Sequence, residues 1–588
     1  MPTQFQLYTK KNMAHPLHYP KTSEIPVLIS GAGPVGTFAA IMLTRLGVRC
    51  RIVERESSIS VMSKALSIHA RTLEIFQQTG LIDRFLIHGH PISDFNIYFN
   101  GVFSVFPGLV NSISYYNYAL FLEQVKTSAL LNEELERLGV NVDRGWELVD
   151  TKVIEEGAVG NVWVETTIRR AIDGSNIRST ESSVVGEVDL DAEQTDKVYE
   201  TEVIRSRYLI GADGGKSVVR HKVNIPFLGK TLENNIILFD GNIETDLDLS
   251  SITVINGRNN RTMNIFPLSD GQVRIMVDGS ELDPGERLTN EILEKTAQAA
   301  AFPAKLLVKS SSWLTFYRVN ERQAESYSYK NSIFLAGDAA HVHSPAGGQG
   351  MNLGLQDAYN LTWKMALVIN GLSEARILET YEAERAPVAS SVIKMSSGMF
   401  ALGFSCHPIY KIMRKIVTAF ASYLVRFITV PPGTVSMLTT RYDENMINQH
   451  HKSQPILKEP FQVGQRAHDG PLLRVLTGGQ LGEALRLHQL IRGPGTFHIL
   501  VFTSNMLSPT ATTPTSKLAG QQMVEHTNEV DLKHNIEQYL QQWRSQWAYG
   551  HGLKEVQPLF NIHVIGAVPE TLSGPHFQDP SKIQADTL

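Results

Sequence analysis

The sequence predicts an α/β fold: a parallel sheet covered by helices, a β-rich insertion, and a further α/β region towards the C-terminal end. Three observations predict it. A strand, glycine turn, helix and strand follow one another over residues 25–54, and a second strand, acid, glycine turn and helix appear over 332–364. Between about 226 and 324, runs such as TVINGRNNRTMNIFPL and GQVRIMVDG are strand-like rather than helical.

The first unit begins with the β-rich run Ile25 to Ser30 and passes through Gly31-Ala32-Gly33-Pro34-Val35-Gly36. Helix-compatible residues continue to Leu46, Gly47 closes the helix, and Val48 to Val53 forms a second buried strand ending at Glu54. This order and size match a Rossmann-like βαβ unit for a dinucleotide. Gly31 permits the tight turn, Gly33 lets the backbone approach a pyrophosphate, and Gly36 lets helix and strand pack closely. Pro34 and Val35 open the helix, whose N-terminal N–H groups and partial positive charge suit phosphates. Glu54, 18 residues beyond Gly36, is placed to accept hydrogen bonds from the adenosine ribose, with Arg55 beside it. Taken alone the unit fits FAD or NAD, because both carry an ADP half.

The second unit separates them. After Ser332 to Ala336 comes GDAAHVHSPAGGQGMNLGLQDAYNLTWK, residues 337–364. An NAD enzyme has no use for another strand–acid–glycine cradle, whereas FAD has a ribityl chain and a ring to hold. Asp338 can accept from a ribityl hydroxyl, and the turn through Gly347, Gly348, Gly350, Met351 and Asn352 can bring backbone N–H groups to the ring, where a side chain would collide. Two other readings fail. His341 and His343 are two apart, without a helical i, i+4 spacing or a nearby third ligand, so no metal site is expected. Ser344 precedes a proline and lacks the G-x-S-x-G frame of a nucleophile elbow. The histidines are expected to fix the loop.

Composition sets outer limits. The 588 residues have a hydrophobic fraction of 42%, enough for several cores, and Lys+Arg 54 against Asp+Glu 59 gives a net charge of −5. No global attraction to nucleic acid is implied. The two cysteines, Cys50 and Cys406, are too few for a disulfide framework, and with no apolar signal-like run at the N-terminus they predict a cytoplasmic setting. Cys50 is expected in the core, and nothing around Cys406 suggests a covalent flavin tether. Residues 398–438 are apolar but broken by Lys411, Arg414, Lys415 and Arg426, which predicts a buried or amphipathic helix and no membrane span.

Three motifs in order then carry a resemblance: the glycine turn with its acid, LIGADGGKSVVR at 209–220, and FLAGDAAHVHSPAGGQGMN at 334–352. Together with ARTLEIFQQTGL, NLGLQDAYNLTWKMALVINGL and YEAERAPVA, they resemble the class A FAD-dependent aromatic hydroxylases, with the phenol hydroxylase branch nearest. The resemblance covers roughly residues 25–400. It implies a flavoprotein monooxygenase with non-covalent FAD, NAD(P)H as transient co-substrate, and oxygen transfer from a C4a-hydroperoxyflavin to an aromatic or phenolic, even polyketide-derived, substrate. It also implies roles. Arg71 lies near the cofactor phosphates, Gln124 contacts the flavin, Asp213 and Gly214 lie near flavin and nicotinamide, Gly337 and Asp338 form the Gly-Asp motif, and Pro345 sits beside the reactive face. Leu66 stands where some phenol hydroxylases carry an aspartate, so that phenol-activating acid is not carried over. Baeyer–Villiger or epoxidising chemistry on the same scaffold remains an alternative, as does a non-catalytic FAD-binding module.

The expected organisation is an N-terminal arm at 1–24, a discontinuous FAD-binding domain at 25–225 and 325–400, and a substrate domain at 226–324 with part of 95–115. A helical connection at 401–454 leads to a C-terminal region at 455–588. Residues 181–202, with eight acids and one lysine, read as a solvated hairpin insertion. Arg261, Tyr317 and Arg318 are the polar candidates near substrate, Tyr317 among the catalytic candidates with Pro345 and Arg71. The C-terminal region, with strands in GTFHILVFTSN and LFNIHVIGAV around a helix at 530–547, resembles the thioredoxin-like domain of phenol hydroxylases. No cysteine follows Cys406, so an assembly role, in a homodimer, is expected there rather than dithiol chemistry.

Overall fold

The computed structural model describes residues 24–60, 65–99, 102–106, 114–156, 161–171, 198–232, 236–257, 261–282, 287–405, 433–449, parts of 407–416 and 463–503, and 560–566. The N-terminal arm, most of the acidic stretch, Cys406 and the helix expected at 530–547 lie outside the described residues. The chain divides into two compact units, Met1–Leu490 and Ile491–Leu588.

The principal elements of the first unit begin with β1 (Glu24–Ser30), α1 (Pro34–Arg45), β2 (Cys50–Glu54), α2 (Ala70–Gln78), β3 (Phe95–Phe99) and β4 (Val102–Phe106). Next come α3 (Gln124–Arg137), β5 (Val142–Arg144), β6 (Glu147–Glu156), β7 (Asn161–Ala171), β8 (Tyr199–Gly211) and α4 (Val218–Lys222). There follow β9 (Ile236–Thr245), β10 (Ile252–Asn256), β11 (Thr262–Pro267), β12 (Val273–Asp278), α5 (Asn290–Ala301) and β13 (Leu306–Tyr317). The unit continues with β14 (Asn320–Ala324), β15 (Ile333–Leu335), α6 (Gly350–Ile369) and α7 (Glu379–Phe404).

The parallel strands β15, β8, β1, β2 and β5 lie side by side in that order. Both faces are covered, so β1 and β15 read as continuous apolar runs, with Val27, Leu28, Ile29, Ile333, Phe334 and Leu335 all fully buried. The register aligns Leu335 with Gly211, Gly211 with Ser30, and Ser30 with Val53. Four strands from distant parts of the sequence therefore end together, at one edge of the sheet. That edge is where ligands bind in open α/β sheets. Cys50 is buried in β2 as expected, and burial pushes its thiol up to about 12.

The β-rich insertion is a seven-stranded sheet ordered β13-β9-β12-β11-β10-β3-β4. The β3–β4 hairpin, far earlier in sequence, joins through a parallel pairing with β10. One face packs on α5, with Met263, Ile265, Ile275, Leu293 and Ala297 in a single core. The opposite face carries Leu238, Met276, Phe266, Trp313 and Tyr317, as the period-2 alternation of a strand requires.

The first unit runs past the boundary expected at 455. Arg466 donates from Nε to Glu74 of α2 at 2.6 Å, and Asn445 donates to Glu384 of α7 at 3.1 Å. These bonds attach the described stretches around Asn445 and Arg466 to α7 and α2 of the first unit. The second unit, described by itself, contains a parallel pair, Phe497–Thr503 with Phe560–Gly566. Among the described residues, no helix is long and apolar enough to cross a membrane.

Candidate functional site

Three loops leave the common strand edge. In the first, Gly31 has φ +99°, and a Cβ there would lie 2.4 Å from the Ala212 carbonyl oxygen; at Gly36 it would lie 1.9 Å from the Gly31 oxygen. These two glycines are demanded by the protein itself. Gly33 differs: a Cβ there would meet nothing within 4 Å, so its bare backbone leaves the start of α1 open to a ligand. Pro34 occupies the first helical turn, where its missing N–H costs nothing. Glu54 accepts the Ala32 N–H at 2.7 Å and the Glu56 N–H at 3.0 Å, so its carboxylate also holds the glycine turn. Arg55 is exposed and pairs with Glu56 at 3.2 Å.

The second loop carries Asp213 and Gly214, the latter with φ +82°. Asp213 accepts the Val219 N–H at 3.1 Å through Oδ2, while Oδ1 is buried without a partner. Burial raises the Asp213 carboxyl above its ordinary range, against the bonds from Ser217 and Val219 that favour its charge. Arg220, which ends the same motif, donates to the carbonyls of Ala339 and Gly215, both at 2.8 Å. It ties this loop to the third one.

In the third loop Gly337 has φ +61°, and a Cβ would press on Val35 of α1 at 2.9 Å. Asp338 is exposed, and no described residue hydrogen-bonds it. Beyond it, Gly347 and Gly348 have φ +85° and +61°, and a Cβ on Gly348 would lie 2.2 Å from Ser67 Oγ. The expectation that a side chain here would collide with the ring is thus incomplete: Gly348 is already required by Ser67. Gly350 meets only ordinary contacts with His343 at 3.7 Å. The Asn352 side chain is spent inside the protein, accepting from His69 N at 2.8 Å and donating to the carbonyls of Ser67 and Gly348 at 2.8 and 3.0 Å. What Gly350, Met351 and Asn352 offer a ligand is backbone N–H, since the first intrahelical bond is Leu353 N–H to Gln349.

Beneath this loop lies a buried ionic network. Asp357 of α6 accepts the Gly337 N–H at 3.1 Å, bonds His341 Nε2 at 2.6 Å and accepts from Arg385 Nε at 2.7 Å. His341 is thus a loop anchor, and His343 likewise bonds the Ser344 carbonyl at 2.7 Å. Ser344 donates to Ser396 at 2.9 Å, which removes it as a nucleophile. Burial alone would raise the Asp357 carboxyl, but His341 and Arg385 outweigh it and hold the group low. Glu74 behaves alike: burial opposes, while Arg466, His488 and Arg71 lower it. The stability from two such depressed carboxyls is complete above about pH 4.3 and lost as the pH falls from there through their native values. Urea unfolding between neutral pH and pH 3 should show this acid loss, and Glu74→Gln should flatten it.

Among the other anticipated residues, Arg71 opens α2 and makes one 3.2 Å contact with Glu74, whose two oxygens Arg466 also occupies. Gln124 exchanges bonds with Ala65, both at 3.0 Å, fixing the segment before Ser67. Pro345 accepts the Gly348 N–H at 3.0 Å, and its neighbour Ala346 joins the apolar cluster of Phe266, Trp313, Tyr317, Met276 and Phe400. The insertion sheet therefore roofs the glycine loop with an aromatic face. Tyr317 is part of it, its hydroxyl pushed up to about 12 by burial and by the negative charge of Asp338, against Arg274. Arg261 is not: it pairs with Glu281 at 2.6 Å. Arg318 is exposed. Sequence reasoning missed Arg220, Asp357 and Arg385. The available signal was an acid inside an otherwise apolar helical run, which must be paired once buried.

A sheet edge with two glycine-lined helix starts and an exposed acid, beside the aromatic face of the insertion sheet, has the features of a dinucleotide-binding α/β protein. The family model described as FAD binding domain matches residues 24–165 and 161–396, well over half of the chain. Rifampicin monooxygenase of Streptomyces venezuelae is 30% identical over 471 residues, 78% of this chain and 88% of that one. Pentachlorophenol 4-monooxygenase of Sphingobium chlorophenolicum is 31% identical over 402 residues, 66% of each. Among solved structures, the anhydrotetracycline hydroxylase of Streptomyces rimosus superposes with a TM-score of 0.59 at 27% identity, over 81% of this chain and 85% of that one. The chain belongs to the FAD-dependent monooxygenases of the aromatic hydroxylase class.

The site fits the cofactor on its own terms. The space before Gly33, the orphaned Asp213 Oδ1, the exposed Asp338 and the free helix starts all lie on one edge. Among the described residues, no cluster of histidines, cysteines and acids could hold a metal.

Proposed function

We propose that the chain uses NAD(P)H and O₂ to place one oxygen atom on a hydroxylated aromatic ring, in a fused-ring substrate of polyketide type. The observation that carries this reading is the shared cluster of Ala346, next to Pro345, with the aromatic face of the insertion sheet: whatever lies on the glycine loop faces an apolar, ring-lined roof. Rifampicin, pentachlorophenol and anhydrotetracycline, for which the relatives are named, all contain hydroxylated aromatic rings. Bound FAD supplies the redox chemistry and oxygen activation. In this reading Gly31, Gly33, Pro34, Val35 and Gly36 hold the ADP half, with Glu54 and Arg55 at the ribose and Arg71 at the phosphates. Gln124, Asp213, Gly214 and Gly337 line the flavin's approach, Asp338 takes a ribityl hydroxyl, and Gly348, Gly350, Met351 and Asn352 present N–H groups to the ring edge. Pro345 borders the reacting face. Tyr317, protonated at neutral pH, serves as a donor rather than a base. The roof excludes water, which favours oxygen transfer over peroxide release.

The second unit is proposed as thioredoxin-like and as an assembly surface for a homodimer, in the cytoplasm. The test of function is incubation of the purified chain with FAD, NADPH and ¹⁸O₂ against phenols and fused-ring phenolics. A product gaining a single labelled oxygen, with NADPH oxidation stimulated at least about tenfold (about 1.4 kcal/mol of preference), is expected. NADPH oxidation indifferent to every aromatic compound would count against it.

A further inference from the structure

The roof is not wholly apolar. On β11, Met263 and Ile265 face the core against α5, so Thr262, Asn264 and Phe266 share the opposite face, towards the glycine loop. Thr262 is only 3% exposed, yet its Oγ1 is buried with no hydrogen-bond partner, and so is Asn264 Oδ1. Asn264 stands directly between Val254 on β10 and Met276 on β12. Those neighbours belong to two apolar clusters that Phe266 joins. One cluster includes Ala346 of the glycine loop, the other Leu66, just before Ser67. Two unsatisfied polar groups at alternate positions of one strand, Asn264 between the two apolar clusters and Thr262 opposite Asn256 at the strand's start, are costly to keep unless a ligand satisfies them.

We infer that Asn264 and Thr262 are the specificity-determining polar anchor for a fused-ring aromatic substrate bearing oxygens along one edge. The inference rests on the reading of this face as the roof of the substrate space. Alternate residues of a strand rise ~6.7 Å apart, so the pair suits oxygens spread along an extended edge. A single-ring phenol held under the same roof meets one of them at most. Asn264 can accept from a hydroxyl or donate to a ring carbonyl, and Thr262 can do either.

The test compares the FAD-saturated wild type with Asn264→Leu and Thr262→Val, which remove the polar atoms at similar volume. The probes are a dihydroxyanthraquinone and phenol, with dissociation constants read from perturbation of flavin absorbance, alongside FAD content and melting temperature. Each variant should bind the anthraquinone about tenfold more weakly, with FAD content unchanged and phenol binding lowered in at most one of the two variants. The melting temperature should hold or rise, because an unpaired polar group has been removed. Anthraquinone binding unchanged in both variants overturns the anchor. A lower melting temperature with unchanged affinity also overturns it, by making the pair structural. A wild type that binds phenol but not the anthraquinone overturns the fused-ring class. A wild type that binds neither probe instead overturns the reading of the roof itself.

Discussion

Replacing Asp357 with alanine should destabilise the first unit by about 3–5 kcal/mol, the cost of leaving a buried charge without its partner. Asp357 and Arg385 are both fully buried, and their 2.7 Å contact is the guanidinium's route to neutrality. Arg385 keeps only the Leu353 carbonyl at 3.2 Å and the Tyr442 hydroxyl at 3.3 Å once the carboxylate is gone. The Gly337 N–H and His341 lose an acceptor as well. Urea denaturation followed by circular dichroism would measure the loss. Asp357→Asn, which keeps the volume and one acceptor, should lose less. A loss below about 1 kcal/mol for the alanine variant would mean that water or a rearranged side chain reaches Arg385.

The Asp338→Ala variant should weaken FAD binding roughly 10- to 150-fold, since a hydrogen bond to a charged carboxylate is worth about 1.5–3 kcal/mol. The structure separates this effect from folding. Asp338 is exposed and lies outside the Asp357 network, so the apoprotein should melt at the wild-type temperature while its affinity for FAD falls. Titration of apoprotein with FAD, followed by fluorescence quenching, gives the number. Unchanged affinity would remove Asp338 from the ribityl role, and the rest of the cradle would have to hold the chain.

The two variants divide what could be read from the residues alone. The place of Asp338 just past a buried strand was legible because it follows an apolar run and precedes glycines, a local pattern. Asp357 sat in plain view in the helical run NLGLQDAYNL, but its partners are 16 and 28 residues away along the chain. Asn352 shows the same limit from the other side: its position in the turn suggested a ligand contact, and only the folded structure shows its side chain bonded to His69, Ser67 and Gly348. Arg261 and Tyr317 were equally plausible as polar residues of a sheet. One lies in a solvent-facing pair and the other in the aromatic face of the insertion sheet, where the charge of Asp338 helps to push its hydroxyl up.

By itself the sequence determined the two strand–turn–helix units, the glycines at their turns and the acids that follow their strands, because dihedral preference, period and capping act over a few residues. Tertiary structure alone decided which strand ends meet. Gly31, Asp213 and Gly337 share an edge because β1, β8 and β15 pair in register, and Thr262 and Asn264 share the face away from α5 because Met263 and Ile265 are drawn into the core against it. Both outcomes depend on burying apolar area between segments far apart in the chain, and no local pattern encodes that pairing.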